Sequence, residues 1–262
     1  MGWVSLVFMR LRSIDQLAEF VDRVGIAVVW GKADLVLPSA WQGIAGPDAD
    51  WAMRDENGKP TGFTPEFERL WRWKDELPER RLACAGRHFG SAAVLIAPRL
   101  VADAYALRKV EEDDPLEREV TQLVDEHGPL ATPEMRELLG TGDKKAVDKA
   151  FTALQRRLVL TNSGVLSQDA GWPAIQHDLF ARRWRARLRR SPAPDEARRA
   201  LARAVVAAAN ELSAADLAGA LGWRRKEAGA VLDELAEAGE AEVRDEDGIK
   251  LWRARERRRR PT

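Results

Sequence analysis

One pattern of apolar and turn residues occurs twice in the second half of this chain. Residues 130–140 are matched 82 positions later by residues 212–222, and each stretch ends in a glycine. Residues 147–154 are matched 81 positions later by residues 228–235, so the offset shortens by one residue inside a turn. Two copies in one register constrain the fold more strongly than any single local pattern, because both copies must form the same structural unit.

Each copy has the pattern of a helix, a tight turn, a second helix and a β-hairpin. In the first copy, Thr132 is the expected N-cap of a helix that Gly140 ends. Apolar residues from Val147 to Leu158 then recur with the period of an amphipathic helix. A short β-type run follows and stops at residues 162–164, an Asn-Ser-Gly turn signal. This order is typical of a winged helix, a helix-turn-helix with a hairpin wing.

The repeat and the flanking composition define the predicted fold. We predict a mainly α (α+β) chain with tandem winged-helix domains that carry short β-hairpin wings, preceded by a Trp-rich N-terminal α+β domain. At 262 residues the chain is long enough for each domain to bury its own core. The predicted parts are the N-terminal domain at 1–110, a winged helix at 116–181, a basic connector at 182–199, a second winged helix at 200–254 and an Arg-rich, disordered tail at 255–262.

The N-terminal domain has weaker local signals. One helix is expected within residues 13–25 and another within residues 64–78. The region 43–62, rich in Gly, Pro and Asp, is predicted to be a long loop. A further helix at 79–86 and a strand at 92–97 complete the prediction for this domain.

Composition restricts the classes of protein to consider. The 42 Lys and Arg residues balance the 42 Asp and Glu residues, so only the distribution of charge is informative. Cys84 is the single cysteine, which excludes an intrachain disulfide and a cysteine-ligated metal cluster. The apolar stretch from Met1 to Met9 is shorter than a membrane span and lacks the basic region of a signal peptide. It is either an ordered strand or an extension from an upstream start, and we expect a cytoplasmic protein with no membrane partner.

Basic side chains are concentrated at three sites in the second half of the chain. A helix-turn-helix presents the outward residues of its second helix to the major groove, and Lys and Arg bind phosphates without reading sequence. The predicted DNA-binding residues are Lys144, Lys145, Lys149, Thr152 and Arg156 in the first copy, Arg182, Arg183 and Arg185 in the connector, and Arg224, Arg225 and Lys226 in the second copy. The alternative is that these runs are only solvated helix faces. Because the second wing is acidic at 245–247, we expect the first copy and the connector to make most contacts.

Six of the ten tryptophans lie in the first 73 residues. One interpretation is a small domain that fills its core with large aromatic side chains. The other is a pocket where a nucleic-acid base stacks, an interaction of about 1–3 kcal/mol per base. The stacking candidates are Trp41, Trp71 and Trp73. On a helix, Trp71 and Lys74 share a face while Trp73 points elsewhere, so at most one of Trp71 and Trp73 is expected in the core.

Motifs of cofactor and metal chemistry are missing from the sequence. It has no phosphate-binding P-loop, no Gly-rich dinucleotide fingerprint and no His-Glu-x-x-His zinc motif. Its three histidines are isolated, and no Cys/His metal spacing occurs. Gln176, His177 and Asp178 are adjacent but fall in a predicted wing strand, and we interpret them as structural. We predict neither a metal nor a cofactor.

The order of several short motifs resembles that of the AlkZ-related proteins, relatives of the AlkZ/YcaQ DNA glycosylases. The motifs are the glycine that ends the first helix, Leu-Pro-Ser-Ala-Trp at 37–41, Trp-x-Trp-Lys-Asp-x-Leu-Pro at 71–78 and Ala-Tyr-Ala-Leu at 104–107. The resemblance covers nearly the whole chain. It implies tandem winged helices, with a divergent third formed by the N-terminal part, that bind double-stranded DNA, and hence a nucleoid-associated location. It also implies a monofunctional, cofactor-free glycosylase that hydrolyses the N-glycosidic bond of alkylated bases.

The catalytic residues implied by this resemblance form a Gln-x-Gln or Gln-x-Asp motif after the first helix. The present sequence has neither, since the region reads Trp-Gly-Lys-Ala-Asp-Leu at 30–35 and Gln42 is the nearest glutamine. An N-alkylated purine is already a good leaving group, so a carboxamide or carboxylate that orients water and stabilises an oxocarbenium-like sugar suffices. The candidates are Asp34, Gln42 and Asp75. The alternatives are a non-catalytic DNA-binding or transcription-regulatory protein, and winged helices used as protein-interaction modules; the oligomeric state stays open.

Overall fold

The computed structural model describes residues 10–31, 36–90, 92–111, 114–168 and 171–255. Within these residues the fold has eleven α-helices and four small sheets, which confirms the predicted α+β class. The predictions for residues 1–9 and for the tail beyond residue 255 lie outside the described residues. No helix in the described ranges is long and apolar enough to cross a lipid bilayer.

Ten elements form the N-terminal part. They are α1 (Ile14–Val24), β1 (Ile26–Val28), α2 (Ala40–Ala45), β2 (Ala52–Arg54), β3 (Pro60–Phe63), α3 (Pro65–Glu79), β4 (Cys84–Gly86), β5 (Val94–Ile96), a 3₁₀ turn (Pro98–Leu100) and α4 (Val101–Ala106). Ser13 caps α1, and Gly25 ends it as predicted, with a φ of 81° that glycine adopts without strain. Gly25 is also a point of close approach, since a Cβ there would lie 2.9 Å from the Cβ of Ala204.

Two predictions for this part are wrong. The predicted loop at 43–62 contains the hairpin β2–β3, whose turn is held by the Asp55 carboxylate accepting from the backbone N–H groups of Asn57 and Lys59. These strands are three and four residues long, too short for an alternating pattern to show. The predicted helix at 79–86 is a turn followed by β4, because pairing with β5 buries the end of this segment. The strand predicted at 92–97 is confirmed as β5.

The first copy of the repeat, called here the first hairpin unit, has six elements. They are α5 (Pro115–His127), β6 (Leu130–Ala131), α6 (Thr132–Leu138), α7 (Lys144–Arg156), β7 (Leu160–Leu166) and β8 (Ala174–Leu179), with the sheet order β6-β8-β7. Thr132 begins α6 but does not cap it; Ala131 is the cap, and its N–H donates to the Glu134 carboxylate. The turn predicted at 162–164 is wrong, because β7 continues through an irregularity there and pairs with β8 on both sides.

The second copy, the second hairpin unit, repeats this order. It follows α8 (Phe180–Arg183) and another 3₁₀ turn (Arg187–Arg189), and consists of α9 (Pro194–Ala208), β9 (Leu212–Ser213), α10 (Ala214–Leu221), α11 (Arg225–Glu237), β10 (Ala241–Glu246) and β11 (Ile249–Ala254). Its sheet order, β9-β11-β10, matches that of the first unit. Strand β9 begins 82 residues after β6, and α11 begins 81 residues after α7. These are the same offsets that relate the two copies of the pattern in the sequence.

The N-terminal part has the same element order with one insertion. Elements α1, β1, α2, α3, β4 and β5 follow one another as the elements of the hairpin units do. The strand order β1-β5-β4 again has the last strand in the middle. The β2–β3 hairpin is inserted between α2 and α3. The three-stranded sheets of the N-terminal part and of the two hairpin units therefore share one topology.

One hydrophobic core joins the N-terminal sheet to the second hairpin unit. It contains Ile26 and Ile96 of that sheet together with Leu201 and Leu232 of the unit, all fully buried. The first hairpin unit has a separate core around Phe151. Because burial contributes about 25 cal/mol per Å² of apolar surface, the shared core fixes the second unit against the N-terminal part.

Candidate functional site

The outward face of α7 carries a row of four side chains, called here the α7 stripe. Its members are Lys145, Lys149, Thr152 and Arg156, spaced by four, three and four residues. This spacing aligns them on one side of the helix, opposite its buried apolar residues. Both lysines and Arg156 are exposed, as is Lys144 at the first position of α7. The side chains of these three lysines have no hydrogen-bond or ion-pair partner within the described part of the chain, so their charges are available to an external anion.

The acidic residue beside the stripe is tied to a neighbouring helix. The Asp148 carboxylate accepts a hydrogen bond from the Thr132 hydroxyl at 2.8 Å, which joins α7 to α6. Thr152 donates its hydroxyl to the carbonyl oxygen of Asp148 at 2.9 Å, an i to i−4 bond along the helix. The charge of Asp148 is thus directed toward the start of α6.

The α7 stripe ends beside the start of α11. Arg156 donates from Nε to the carbonyl oxygen of Gly90 at 3.3 Å. The turn before α11 contacts the same loop, since a Cβ at Gly222 would lie 3.1 Å from the carbonyl oxygen of Phe89. The exposed basic side chains that follow this turn are Arg224, Arg225 and Lys226. We call the α7 stripe, the loop 87–90 and residues 224–226 the α7–α11 surface.

Sequence reasoning missed one basic residue of this surface. Arg87 is exposed in the loop 87–90, and its backbone N–H donates to Oε1 of Gln155 on α7 at 2.7 Å. No local signal marks Arg87, because its position depends on a contact between residues 68 positions apart. The two basic helices expected from the repeat therefore border one loop that comes from the N-terminal part.

The predicted connector residues differ in their contacts. Arg182 forms an ion pair with Asp178 at 2.7 Å, and Arg183 bonds from Nη2 to carbonyl oxygens at the C-terminal end of α3. Arg185 is exposed and has no such partner among the residues described. Arg182 and Arg183 thus connect parts of the chain, while Arg185 keeps its hydrogen-bonding capacity.

These connector residues form one wall of a groove of about 520 Å³, called here the arginine groove. It is lined by Arg81, Arg182, Arg183, Trp184, Arg185, Ala186, Arg187 and Arg189. Burial, together with the nearby guanidinium of Arg81, lowers the pKa of Arg183. Arg81 was not predicted, because it lies about a hundred positions earlier in sequence and reaches the groove only through the packing of α3 on β7.

Aromatic rings are gathered on and around α3, and we call them the aromatic cluster. Its members are Trp30, Trp41, Trp51, Phe63, Phe67, Trp71 and Trp172, with neighbouring ring centroids 4.4 to 6.4 Å apart. Trp172 comes from the β7–β8 connection, and its ring centroid lies 4.8 Å from that of Trp71. Trp51 and Trp172 are each 49% exposed, so one side of the cluster is open to solvent.

The three predicted stacking residues differ in exposure. Trp41 is only 8% exposed and donates from Nε1 to the carbonyl oxygen of Ala49 at 3.3 Å. Trp73 packs against the N-terminal core, while Trp71 is half-buried within the aromatic cluster. Of the three, only Trp71 contacts the exposed Trp172, a residue that the sequence analysis did not single out.

Asp75 lies one helical turn beyond Trp71 and is buried. The Nζ of Lys74 lies 2.6 Å from Oδ1 of Asp75 and 4.3 Å from the ring centroid of Trp71. The cation therefore bridges the carboxylate and the indole, an arrangement that combines an ion pair with a cation–π contact. Burial raises the pKa of Asp75, and Lys74 opposes this shift.

The other two predicted catalytic residues are not joined to Asp75. Gln42 is half-buried in α2, its backbone N–H donates to Oγ of Ser39, and its side chain lies near Gly31. No hydrogen bond within the described ranges links Gln42 to Asp75. Asp34 lies outside the described residues.

A buried polar network connects β4 to the first hairpin unit. Sγ of Cys84 lies 3.5 Å from Nε2 of His88 and 3.5 Å from Oγ1 of Thr161, and Nε2 of Gln155 lies 2.9 Å from Nδ1 of His177. Burial raises the pKa of Cys84 to about 12 and lowers the pKa values of His88 and His177 to about 4 and about 3. The thiol is therefore protonated and both imidazoles are neutral near pH 7, as expected for structural groups. Among the residues described, no group of three or more His, Cys, Asp and Glu residues could hold a metal ion.

The model of the family described as AlkZ related matches residues 11–222, most of the chain. The chain belongs to the AlkZ-related family. The match includes the aromatic cluster and the α7 stripe of this AlkZ-related protein and ends at Gly222, just before α11. No curated protein matches the sequence.

A solved structure supports the relationship at the level of the fold. The DNA glycosylase AlkZ of Streptomyces sahachiroi superposes with a TM-score of 0.55 over 96% of this chain and 67% of that protein, at 14% sequence identity. At this identity the similarity concerns the path of the chain, and it carries no residue of one protein onto the other.

Proposed function

We propose that this AlkZ-related protein binds double-stranded DNA through the α7–α11 surface, and that its three units of common topology are winged helices. In each hairpin unit, the second helix of the helix pair is α7 or α11, the position of the recognition helix in a helix-turn-helix. The domain boundaries then follow as a divergent winged helix within 1–110, winged helices at 116–181 and 200–254, and the connector at 182–199.

The α7 stripe is the observation that carries this proposal. Arg156 lies eleven positions after Lys145 on α7, so the stripe extends over about 17 Å at 1.5 Å per residue. Its lysines have no acidic partner in the described ranges, and Arg87 and residues 224–226 extend the positive charge beyond its end. A row of this length, with three cations of which the two lysines are unpaired, matches consecutive DNA phosphates, whose neutralisation releases counterions.

The second hairpin unit is expected to contact DNA through the start of α11 and not through its wing. The tip of the β10–β11 hairpin, at residues 245–247, is acidic and exposed. Arg244 pairs with Glu211 at 2.9 Å, and Lys250 pairs with Asp233 at 3.3 Å, so these wing cations are already neutralised. The negative charges of the wing repel DNA phosphates. The start of α11 is therefore the favourable contact in this unit.

We further propose a glycosylase-like role in DNA repair, acting on alkylated bases. The name of the AlkZ structure gives the reaction class, and the aromatic cluster supplies a surface on which an extruded base stacks. Water attacks C1′ of the sugar, the N-glycosidic bond breaks, and the cationic base leaves with the bonding electrons. A carboxylate such as Asp75 stabilises the oxocarbenium-like sugar and accepts the water proton. These steps require no cofactor.

One observation favours a non-catalytic or regulatory DNA-binding role as the second candidate. Asp75 is only 9% exposed, and its Oδ1 is already bonded to Lys74 at 2.6 Å. Before it can act on a sugar, this carboxylate must break its ion pair with Lys74 and become accessible. If Asp75 does not make this change, the aromatic cluster recognises a base without cleaving it.

The salt dependence of duplex binding tests the DNA proposal. We expect the logarithm of the association constant to fall steeply with the logarithm of salt concentration, with a slope of about 0.9 for each phosphate contact. The variant Lys144→Gln/Lys145→Gln/Lys149→Gln should bind more weakly and have a smaller slope. A control variant, Arg10→Gln/Arg12→Gln/Arg23→Gln, removes three exposed cations outside the α7–α11 surface and the connector, and should leave the slope unchanged. Affinity that does not change with salt in the unmodified protein would reject DNA binding.

The glycosylase-like role is tested by incubation with a duplex that contains N7-alkylguanine. The expected product is an abasic site, detected by strand cleavage with hot alkali. Duplex binding without abasic sites would reject the activity and leave the non-catalytic role.

A further inference from the structure

The arginine groove is a second cationic site, separate in its residues from the α7–α11 surface. Six of its eight lining residues are arginines, and within the described ranges only Arg182 has a carboxylate partner. Arg81, Arg185, Arg187 and Arg189 are exposed, and their side chains have neither a hydrogen-bond nor an ion-pair partner there. Guanidinium groups gathered around one space repel one another, and an anion bound between them would remove this repulsion.

The groove is held open by contacts at both ends of the segment that forms it. At one end, Arg183 bonds to the carbonyl oxygens of Pro78 and Glu79, where a cation also compensates the negative end of the α3 dipole. At the other end, Arg190 bonds to the buried Asp103 at 3.0 Å and to Glu196. The segment between these anchors therefore keeps its arginines close together without any ligand.

Two local features show that the groove is costly to form. Arg81 has a φ of 58°, in the left-handed region that a side chain disfavours. The Nε–H of Arg183 is buried and has no hydrogen-bond acceptor within the described part of the chain. Backbone strain and an unsatisfied buried donor on the wall of one cationic groove point to a binding site for an anion.

We propose that the arginine groove binds phosphate groups of a nucleic-acid strand, a second contact that rests on the proposed DNA binding. Apart from arginines, the lining contains only Ala186 and the buried Trp184, so nothing in it reads a sugar or a base. Such a lining recognises charge and the forked geometry of phosphate oxygens. A volume of about 520 Å³ exceeds one phosphate and fits consecutive backbone groups.

The groove also lies at one end of the contact between α3 and the β7–β8 hairpin. Arg183 bonds to Ser163 of β7 and to Glu79 of α3, and at the other end of this contact Trp172 packs on Trp71. Glu79 and Trp71 are eight residues apart on α3, or about 12 Å. The groove therefore lies about as far from the aromatic cluster as neighbouring backbone phosphates lie from a base that is stacked on the cluster.

The experiment compares three variants by the salt dependence of duplex binding. The groove variant Arg185→Gln/Arg187→Gln/Arg189→Gln removes exposed, unpaired side chains, so a native melting temperature is expected. Its slope should fall by about 0.9 for each of these residues that contacts a phosphate. The control variant Arg10→Gln/Arg12→Gln/Arg23→Gln has the same charge change and should keep the original slope. A groove variant with the slope of the control overturns the inference, while weaker binding by Lys144→Gln/Lys145→Gln/Lys149→Gln keeps the proposed DNA binding.

Two further measurements separate the sources of phosphate and the two proposals. A closed dumbbell duplex has no strand ends, so a slope change on it indicates backbone phosphates. A slope change only on a linear duplex with 5′-phosphates indicates a terminal phosphate. If the unmodified protein binds no duplex, inorganic pyrophosphate is the probe. It should raise the melting temperature of the unmodified protein and not that of the groove variant, and equal or absent shifts overturn the inference.

Discussion

The indole rings of Trp71 and Trp172 lie with their centroids 4.8 Å apart, although the two residues are 101 positions apart in sequence. The contact joins the middle of α3 to the β7–β8 connection of the first hairpin unit. It extends a group of N-terminal aromatic residues with a ring from another part of the chain, and about half of that ring is exposed. The result is a partly exposed indole platform with the largely buried Lys74–Asp75 pair beside it.

Replacing Trp172 should weaken the binding of an unpaired base. Trp172→Ala removes an exposed ring from the aromatic cluster, and loss of stacking costs about 1–3 kcal/mol per base. We expect a roughly 5- to 150-fold lower affinity for a duplex with one bulged base, measured by fluorescence anisotropy. Trp172→Phe, which keeps a stacking face, should recover most of the loss. Equal affinity of all three proteins would show that the ring does not contact a base.

Asp75→Asn tests the catalytic assignment. If the Asp75 carboxylate acts on the sugar or on water, release of N7-alkylguanine should fall by about 10²- to 10⁴-fold, while duplex affinity stays within about twofold. Asp34→Asn and Gln42→Ala, assayed in parallel, identify which of the three candidates matters. Because Asp75→Asn leaves Lys74 without its carboxylate, thermal unfolding must show that the variant is folded. Release at the original rate would exclude Asp75.

Acid should destabilise the fold through the two buried histidines. Burial lowers the pKa values of His88 and His177 to about 4 and about 3, below the unfolded value of about 6.5. Between pH 6.5 and the folded pKa values, the unfolded chain therefore binds more protons than the folded chain. The stability that the two neutral histidines contribute is present above about pH 6.5 and is lost as the pH falls toward those values. With both groups contributing, the free energy of unfolding should fall by about 2 to 3 kcal/mol for each pH unit near pH 5. Urea unfolding between pH 4.5 and 7 measures this slope.

A pair of histidine variants separates this effect from general acid denaturation. His177→Gln should remove about half of the histidine contribution to this slope, or about 1 kcal/mol per pH unit. His127→Gln changes an exposed residue at the end of α5 and should leave the slope unaltered. Identical slopes in the two variants would contradict the assignment to His177.

The packing of α1 on α9 can be tested at Gly25. An alanine there would have to adopt a φ of 81° and would bring its Cβ to 2.9 Å from both Ala204 and Leu100. Gly46→Ala is a matched control, since Gly46 has a φ of 106° and open space around it. Both variants should lose stability from backbone strain of about 1–3 kcal/mol, and Gly25→Ala should lose more because of the contacts. Denaturant unfolding compares them, and equal losses would show that α9 moves away easily.

The sequence alone determined the helices of the two hairpin units and the order of their elements. The period of apolar residues in α7 and α11, the glycine after each preceding helix and the shared 82- and 81-residue offsets are local signals, and the elements follow them. Caps and periodicity depend on neighbours within one or two turns, so they can be read from one segment. The short strands β2, β3 and β4 gave no such signal, because they are formed by pairing with distant or irregular partners.

Tertiary structure decided which of the predicted residues come together. Among the predicted basic residues, Arg182 and Arg183 are bonded within the chain, whereas Arg81 and Arg87 join basic surfaces that no local pattern marked. Trp172 joins the aromatic cluster through a contact with the N-terminal part. The physical reason is that charge and ring type are fixed by the sequence, whereas their grouping depends on long-range packing between α3, β7 and the second unit.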